Sequence, residues 1–376
     1  MVRIWDYKEE YKQLRSSILK SLDDVFNSGT LICGDNVRTF EKTFSKYINN
    51  NYGIGVANGT DALYVSMKAF GISSESEVIT VSNTAIPTTT AIAMTGADPV
   101  FVDVNKYFLM DASKIEDVIT EKTAAILPVH LYGQICDMRE INRIASKYNI
   151  LVIEDCAQAH GATQYNEKAG SFGDVGAFSF YPTKVLGAYG DGGFITTDSR
   201  VIYSKMNRLR FFGINRNEIS ENKWDGKYYA QEDARNTCTS RLNEVQAAIL
   251  NEKLKYLEEY IRQRREIANR YTEELSDTDL LLPLEAYGNK HVYYMYVVMH
   301  DDRDRIIKSM LDNDISLNVS YPYPIHTMLG YKYLNYKYGD LPVTESFSDK
   351  IFSLPIYPNL TYDDQSLVIN ALKKII

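Results

Sequence analysis

Three short stretches of this chain set reactive side chains where an apolar strand gives way to a turn or a helix. In the first, Phe178-Ser-Phe-Tyr-Pro-Thr-Lys184 runs through Val185 and Leu186 into the glycine-rich Gly190-Asp-Gly-Gly193. A lysine flanked by apolar residues rather than carboxylates can be partly desolvated, and the neutral amine it then offers is what a Schiff base requires. The glycines permit tight backbone paths close to a ligand, and Ser179 offers a hydroxyl to a phosphate. Read alone, the lysine is also compatible with a solvated surface cation.

The second stretch is Glu154-Asp-Cys-Ala-Gln-Ala-His160, directly after the apolar Ile150-Leu-Val-Ile153. A carboxylate at a strand's carboxyl end can pair with a protonated ring nitrogen; in pyridoxal phosphate (PLP) chemistry that pairing keeps the pyridine able to accept carbanion electrons. Asp155 could equally cap a following helix, and Gln158, one turn on, either reaches the same ligand or faces solvent. The third stretch, Gly59-Thr60-Asp61-Ala62-Leu63, follows a strand and opens an apolar helical run. Backbone N–H groups and the positive end of a helix dipole would converge there, as a phosphate needs. An ordinary cap by Thr60 or Asp61 explains the same residues.

The elements that must position these groups are legible in the patterning. Gly53-Ile-Gly-Val-Ala57, Glu77-Val-Ile-Thr-Val81, Pro99-Val-Phe-Val-Asp103, Ala124-Ala-Ile-Leu-Pro-Val129, Ile150-Leu-Val-Ile-Glu154 and Val175-Gly-Ala-Phe-Ser-Phe180 alternate with helical stretches. That alternation predicts an α/β fold with a mostly parallel sheet, whose ligands bind beyond the strands' carboxyl ends. From Leu242 to Leu275 apolar residues recur at helical spacing, which predicts one long amphipathic helix. After Pro283, the strand-like Val292-Tyr-Tyr-Met-Tyr-Val-Val298 and the loop Tyr321-Pro-Tyr-Pro-Ile-His326 read as a smaller α+β unit. The expected division is a large domain over residues 1–250, then the linking helix and small C-terminal domain over 251–376.

The balance of 41 Lys and Arg against 49 Asp and Glu, a net charge of −8, argues against gripping nucleic acid, which needs clustered cations. It still permits a nucleotide-linked substrate, since a few donors and helix ends hold one pyrophosphate. The five histidines show no metal-ligand spacing, and Cys33, Cys136, Cys156 and Cys238 show no C-x-x-C pair, so no metal and reduced thiols are expected. No apolar run is long enough to cross a bilayer and the first residues are soon polar, so the expected location is the cytoplasm, without membrane partners.

Over essentially its whole length the sequence resembles the DegT/StrS family of PLP-dependent sugar aminotransferases. The carriers are Ala57-Asn-Gly-Thr-Asp-Ala-Leu63, Pro128-Val-His-Leu-Tyr-Gly-Gln134, Ile153-Glu-Asp-Cys-Ala-Gln-Ala-His-Gly-Ala162, the Lys184 segment with Gly190-Asp-Gly-Gly193, and Arg241-Leu-Asn-Glu-Val-Gln-Ala-Ala248. The resemblance implies the fold-type I architecture, a large domain with a seven-stranded sheet plus a small C-terminal domain, in a homodimer with shared active sites. It implies that Lys184 holds the cofactor covalently, Asp155 holds the pyridine nitrogen, and Gln158 approaches the phenolic oxygen. Gly59, Thr60 and Ser179 would cradle the phosphate, and Tyr321, Tyr323 and His326 would line the sugar pocket. His130 and His160 also fall at motif positions, as structural histidines or proton carriers.

Two positions depart from the family pattern. Ala85 stands where many relatives stack an aromatic ring on the cofactor, and Thr239 where many place an Asn that reaches the partner subunit's phosphate. Family members that dehydrate sugars carry histidine in place of the lysine, so Lys184 argues against dehydration. The implied reaction moves an amino group from L-glutamate to a nucleotide-linked keto-sugar. The late segments, including Tyr338-Gly-Asp-Leu-Pro-Val-Thr-Glu345 and Leu354-Pro-Ile-Tyr-Pro358, resemble the branch that aminates dTDP-linked 3-keto-6-deoxyhexoses. The alternatives are amination of a UDP- or dTDP-linked 4-keto sugar, or a non-catalytic PLP-binding regulator.

Overall fold

A computed structural model describes residues 1–213 and 237–376. Twelve strands occur among them: β1 Tyr52–Val56, β2 Glu77–Val81, β3 Asp98–Val102, β4 Thr123–Ile126, β5 Leu151–Asp155, β6 Thr163–Gln164, β7 Glu167–Lys168, β8 Val175–Ser179, β9 Gly193–Thr197, β10 Asn289–Lys290, β11 Tyr296–Met299 and β12 Ile351–Leu354. Seven of them form one sheet in the order β1-β9-β8-β5-β4-β2-β3. All neighbours in that sheet are parallel except around β9, which runs antiparallel to both β1 and β8. Near-continuous burial along β5, β8 and β9 is what a sheet covered on both faces requires.

The six strands expected from the patterning all lie in this sheet, within a few residues of the expected bounds. β9, Gly193-Phe-Ile-Thr-Thr197, was hidden by the glycines that precede it. Those glycines answer a packing demand, because a Cβ on Gly193 would come within 2.2 Å of the Asn58 carbonyl oxygen.

An aromatic cluster joins the sheet to the helix Asp35–Ile48. Phe44 meets Phe178, Phe180 and Phe194 edge-on at centroid distances of 5.2, 5.3 and 5.1 Å, and all four rings are fully buried. Truncating such a ring typically costs about 3–5 kcal/mol. A second core gathers Ile267, Tyr271, Val298, Ile306, Met310, Phe352, Val368 and Leu372, and Val2 joins it by pairing with Ile315.

The expected single helix over 242–275 is two helices, Glu244–Leu254 and Leu257–Glu274, with the bend at Lys255 and Tyr256. No glycine or proline marks the bend. The first half packs against the N-terminal helices Lys8–Ser28 and Asp35–Ile48, the second against the C-terminal helix Tyr362–Ile375, and a spacing averaged over both halves hides the change of partner.

Past β11 the chain returns to the large sheet. The Ile325 N–H donates to the Ser82 carbonyl at 3.2 Å, the Tyr331 hydroxyl to Thr89 Oγ1 at 2.8 Å, and Asp103 accepts from the N–H groups of Val343 and Thr344, each at 2.9 Å. The Tyr- and Pro-rich segment is thereby held over the ends of β2 and β3.

Candidate active site

Asp155 is the last residue of β5 and is buried. The strand direction delivers it to the sheet's carboxyl edge, where the Thr88 hydroxyl donates to Oδ2 at 2.9 Å and the Ala157 N–H to Oδ1 at 3.1 Å. Thr88 is placed by the helix Ile86–Thr95, which starts with Pro87 in its first turn, and Thr84 steadies its hydroxyl at 2.9 Å. Among the described residues no cation approaches the Asp155 oxygens within ion-pair distance. Burial raises its pKa, and the Ala157 and Thr88 bonds with the charges of Lys184 and His130 oppose that rise. A buried carboxylate that lacks its own cation suits a protonated ring nitrogen.

Lys184 follows the end of β8 by five residues and is half-buried. Its Nζ lies 4.4 Å from the centre of the Tyr294 ring, a distance for cation–π attraction. The Tyr294 hydroxyl is 3.1 Å from Thr183 Oγ1, so the ring is fastened to the segment that carries the lysine.

Gly59, Thr60 and Ser179, expected to cradle a phosphate, meet at the start of one helix and the end of β8. The helix Gly59–Ala69 is capped by Asn58, whose Oδ1 accepts the Asp61 N–H at 2.8 Å, rather than by Thr60 or Asp61. Asp61 instead accepts from Ser240 Oγ at 2.7 Å, and Ser240 Oγ accepts the Ala57 N–H at 3.0 Å. This arrangement leaves the N–H groups of Gly59 and Thr60 to an outside acceptor. A Cβ on Gly59 would sit 2.7 Å from Ser179 Cβ, so the start of the helix and the end of β8 touch with no room for a side chain between them.

Gln158 is buried and bonded at both ends of its amide, with one Nε2–H left over. Its Oε1 accepts the Tyr132 N–H at 2.8 Å and its Nε2 donates to the Tyr321 hydroxyl at 2.7 Å. Tyr321 therefore reaches the expected site, from a left-handed backbone with φ +64. Tyr323 does not point inward in this way; it is 69% exposed. His326 lies in the interior with both ring nitrogens occupied, Nδ1 against Ser82 Oγ at 2.8 Å and Nε2 against Glu345 Oε1 at 3.0 Å. Thr239 is exposed, next to the Ser240 that anchors the Gly59 helix.

The two motif histidines differ. His130 Nε2 is 2.9 Å from Glu154, whose carboxylate also accepts the N–H groups of Gly170, Phe172 and Gly173 at 2.9, 2.8 and 2.8 Å. Burial works against a charge on His130, but its contacts with Cys136, Cys156 and Glu154 outweigh it and hold its pKa well above the usual value. His130, Glu154 and Cys156 bring their ligating atoms within 4.8 Å, yet the carboxylate lone pairs are already taken by these donors. His160 sits among Phe44, Phe178 and Phe180, stacked on Phe180 at 5.5 Å, and neither ring nitrogen has a hydrogen-bond partner. Burial and the nearby Lys184 charge push its pKa down to about 3, while the Ser179 backbone, close but without bonding geometry, opposes this slightly.

Thr88, Tyr132 and Tyr294 were not singled out from the sequence. Thr88 had a signal, since it opens the helix after β2, two residues past Ile86 and one past Pro87. Tyr294 had none, because its contact with Lys184 spans more than a hundred residues.

The chain belongs to the DegT/DnrJ/EryC1/StrS aminotransferase family, whose model matches residues 12–373. It is accordingly an aminotransferase dependent on PLP. It is 45% identical to a dTDP-3-amino-3,4,6-trideoxy-alpha-D-glucose transaminase of Micromonospora megalomicea subsp. nigra, over 99% of this chain and 98% of that one. It is 38% identical to a pleiotropic regulatory protein of Geobacillus stearothermophilus, over 99% and 97%. The crystal structure of S. venezuelae DesV superposes with a TM-score of 0.91 at 32% identity, covering 98% of this chain and 96% of that one. Among the described residues no helix is long and apolar enough to cross a membrane.

Proposed function

We propose that this protein moves an amino group from L-glutamate to a dTDP-linked 3-keto-6-deoxyhexose. The observation that carries the reading is the placement of Asp155, a buried carboxylate with no cation of its own among the described residues, and Lys184 at the same edge of the sheet. The resemblance to the Micromonospora transaminase, which makes a 3-amino sugar, supports the choice of sugar carbon.

When bound, PLP supplies the electron sink that makes a carbon–hydrogen bond next to nitrogen labile. The chain's residues do the rest. Gly59 and Thr60 N–H groups with Ser179 Oγ bind the phosphate at the helix start. Asp155 holds the ring nitrogen's proton, and Thr88 and the Ala157 N–H fix the carboxylate for that task. Gln158, oriented by Tyr132 and Tyr321, donates toward the phenolic oxygen. Lys184 Nζ removes a proton from one carbon and returns it to another, first for glutamate and then in reverse for the sugar. Tyr321 lines the sugar pocket, Tyr323 bounds its mouth, and His326 supports the wall from behind. In a cytoplasmic homodimer, with the large domain over 1–250 and the small one over 251–376, Thr239 reaches the partner subunit's phosphate.

The test is to incubate the enzyme with glutamate and each of several dTDP- and UDP-linked 3-keto and 4-keto sugars, then locate the new amine by NMR. Nitrogen at the 3-position is expected. Nitrogen only at the 4-position overturns the regiochemistry. The likeness to a regulatory protein favours a second reading, a PLP-binding regulator. Failure of glutamate to convert the bound cofactor to its amine form would select it.

A further inference from the structure

Arg264, near the middle of the helix Leu257–Glu274, is a buried charge that the chemistry above leaves unused. Among the described residues no carboxylate lies within ion-pair distance of it, and its Nε has no hydrogen-bond partner. Nη1 donates instead to three carbonyls, those of Tyr293, Tyr294 and Ile356, at 3.2, 3.3 and 3.0 Å. Burial pushes its pKa down to about 10, opposed by the Tyr294 and Glu10 groups, so it stays a cation at neutral pH. Burying a cation without an anion is costly. What this one secures is a junction between segments far apart in sequence.

The junction is where the chain crosses between the two cores. Tyr293 puts its ring in the core that holds Tyr271 and Phe352, while Tyr294, the next residue, joins the core of the large sheet. Tyr293 makes the crossing with a left-handed backbone, φ +48, which a bulky residue keeps only under restraint. Arg264 bonds both carbonyls of that joint. Neighbouring bonds hold its flank: Arg265 Nη1 donates to the His291 carbonyl at 2.7 Å, and the Val292 N–H to the Gly133 carbonyl at 2.9 Å. Beyond the joint, the centre of the Tyr294 ring lies 4.4 Å from Lys184 Nζ. One residue thus separates Arg264 from the reacting amine.

We propose that Arg264 is a positioning residue of the reaction, which clamps the joint at Tyr293 and Tyr294 and so keeps the Tyr294 ring against the Lys184 amine. The inference rests on the reading of Lys184 as the group that moves the proton. A lysine amine sits on a flexible four-carbon stem, and while free of other bonds it can wander. A fixed aromatic face within cation–π distance gives it one resting place. The face serves only if both its ends are held. The Thr183 bond at 3.1 Å holds the hydroxyl tip of the ring, and Arg264 holds the backbone it springs from. Through the Ile356 carbonyl the same guanidinium is tied to the segment after β12, so the second core helps to set the ring's place.

The test uses the holoenzyme loaded with pyridoxamine phosphate, which leaves the Lys184 amine free, and reads acetylation of each lysine by peptide mass spectrometry. Lys184 should be acetylated about three- to tenfold faster in Arg264→Gln and in Tyr294→Leu, and no faster still when the two are combined, because both remove one restraint. Tyr294→Phe, which keeps the ring, should stay within about twofold of wild type. Lys253, buried with Nζ 2.6 Å from Glu10 and near enough for the Arg264 charge to act on it, should stay unlabelled throughout. Arg264→Lys keeps a cationic donor of shorter reach and should give a smaller increase; it takes the place of Arg264→Gln if that variant does not fold. Unchanged acetylation of Lys184 in the Arg264 variant overturns the proposal, as do effects that multiply when the substitutions are combined. Acetylation of Lys253 together with Lys184 overturns it too, since Arg264 would then hold the fold and nothing more. Wild-type enzyme whose cofactor glutamate does not convert to the amine form rejects the function; conversion alongside unchanged labelling leaves the function standing and rejects the role of Arg264 alone.

Discussion

Gln158 Nε2 donates to the Tyr321 hydroxyl at 2.7 Å, a single bond between residues 163 positions apart. It ties the carboxyl edge of the large sheet to a loop that belongs, in sequence, with the second core. The other end of the Gln158 amide is held by the Tyr132 N–H, so its orientation is fixed from both sides. Tyr132 and Tyr321 also stack, with centroids 6.2 Å apart.

Tyr321→Phe keeps that stacking and removes only the hydroxyl. Loss of one such hydrogen bond is worth about 0.5–1.5 kcal/mol, so kcat should fall about two- to tenfold while the melting temperature barely moves. The absorption band of the bound cofactor should shift as Gln158 loses its outer restraint. An unchanged spectrum together with an unchanged rate would mean that Gln158 is not oriented by Tyr321.

Asp155→Asn replaces the carboxylate by a neutral amide of the same shape. The folded state is relieved of a buried charge, so the variant should fold and be no less stable. Its rate should fall by several powers of ten, because an amide does not hold a protonated ring nitrogen. A loss smaller than about tenfold, about 1.4 kcal/mol of barrier, would place the ring-nitrogen partner elsewhere.

Much of this was readable from local patterns. The sheet's parallel strands and the position of Asp155 at a strand end follow from alternation of apolar runs with helices, because burial on both faces imposes that signature. Gly59 and Ser179 could be named separately from their turns, but their contact is a product of packing. The role of His326 was not readable at all. Its two partners, Ser82 and Glu345, lie 244 and 19 residues away, and nothing local distinguishes a histidine clamped in the interior from one facing a sugar. The bend at Lys255 and Tyr256 was hidden for a similar reason, since each half of that helical run is amphipathic toward a different partner.

Two histidines make a prediction about acid. Burial pushes the pKa of His160 down to about 3, aided by the Lys184 charge, and burial with the Arg265 charge does the same for His291. A depressed folded-state pKa means the unfolded chain takes up the proton first. The stability is present above about pH 6.5 and is lost as pH falls toward 3, at about 1.4 kcal/mol per pH unit for each ring. His160→Phe puts an apolar ring among Phe44, Phe178 and Phe180 and forfeits no hydrogen bond. Urea unfolding of that variant should show equal or greater stability at pH 7, and a slope between pH 6 and 4.5 shallower by about one histidine. An unaltered slope would show that His160 is not the buried neutral group described.

The last prediction concerns Lys184, whose amine faces the Tyr294 ring and stands near enough to Asp155 and His160 for its charge to act on both. Among the described residues it has no carboxylate within ion-pair distance, so it can exchange a ring contact for a covalent bond without leaving a buried anion unpaired. Borohydride treatment of the purified holoenzyme should therefore bleach its visible band and leave the label on the peptide carrying Lys184. Lys184→Ala should still bind PLP, because the Gly59 helix start, Ser179 and Asp155 do not depend on the amine. It should show no steady turnover, since the amine that moves the proton between carbons is gone. Label on a different lysine, or normal turnover in Lys184→Ala, would refute the assignment. Added methylamine offers a finer check: a small free amine that fits beside Tyr294 should restore part of the rate, which loss of fold alone would not allow.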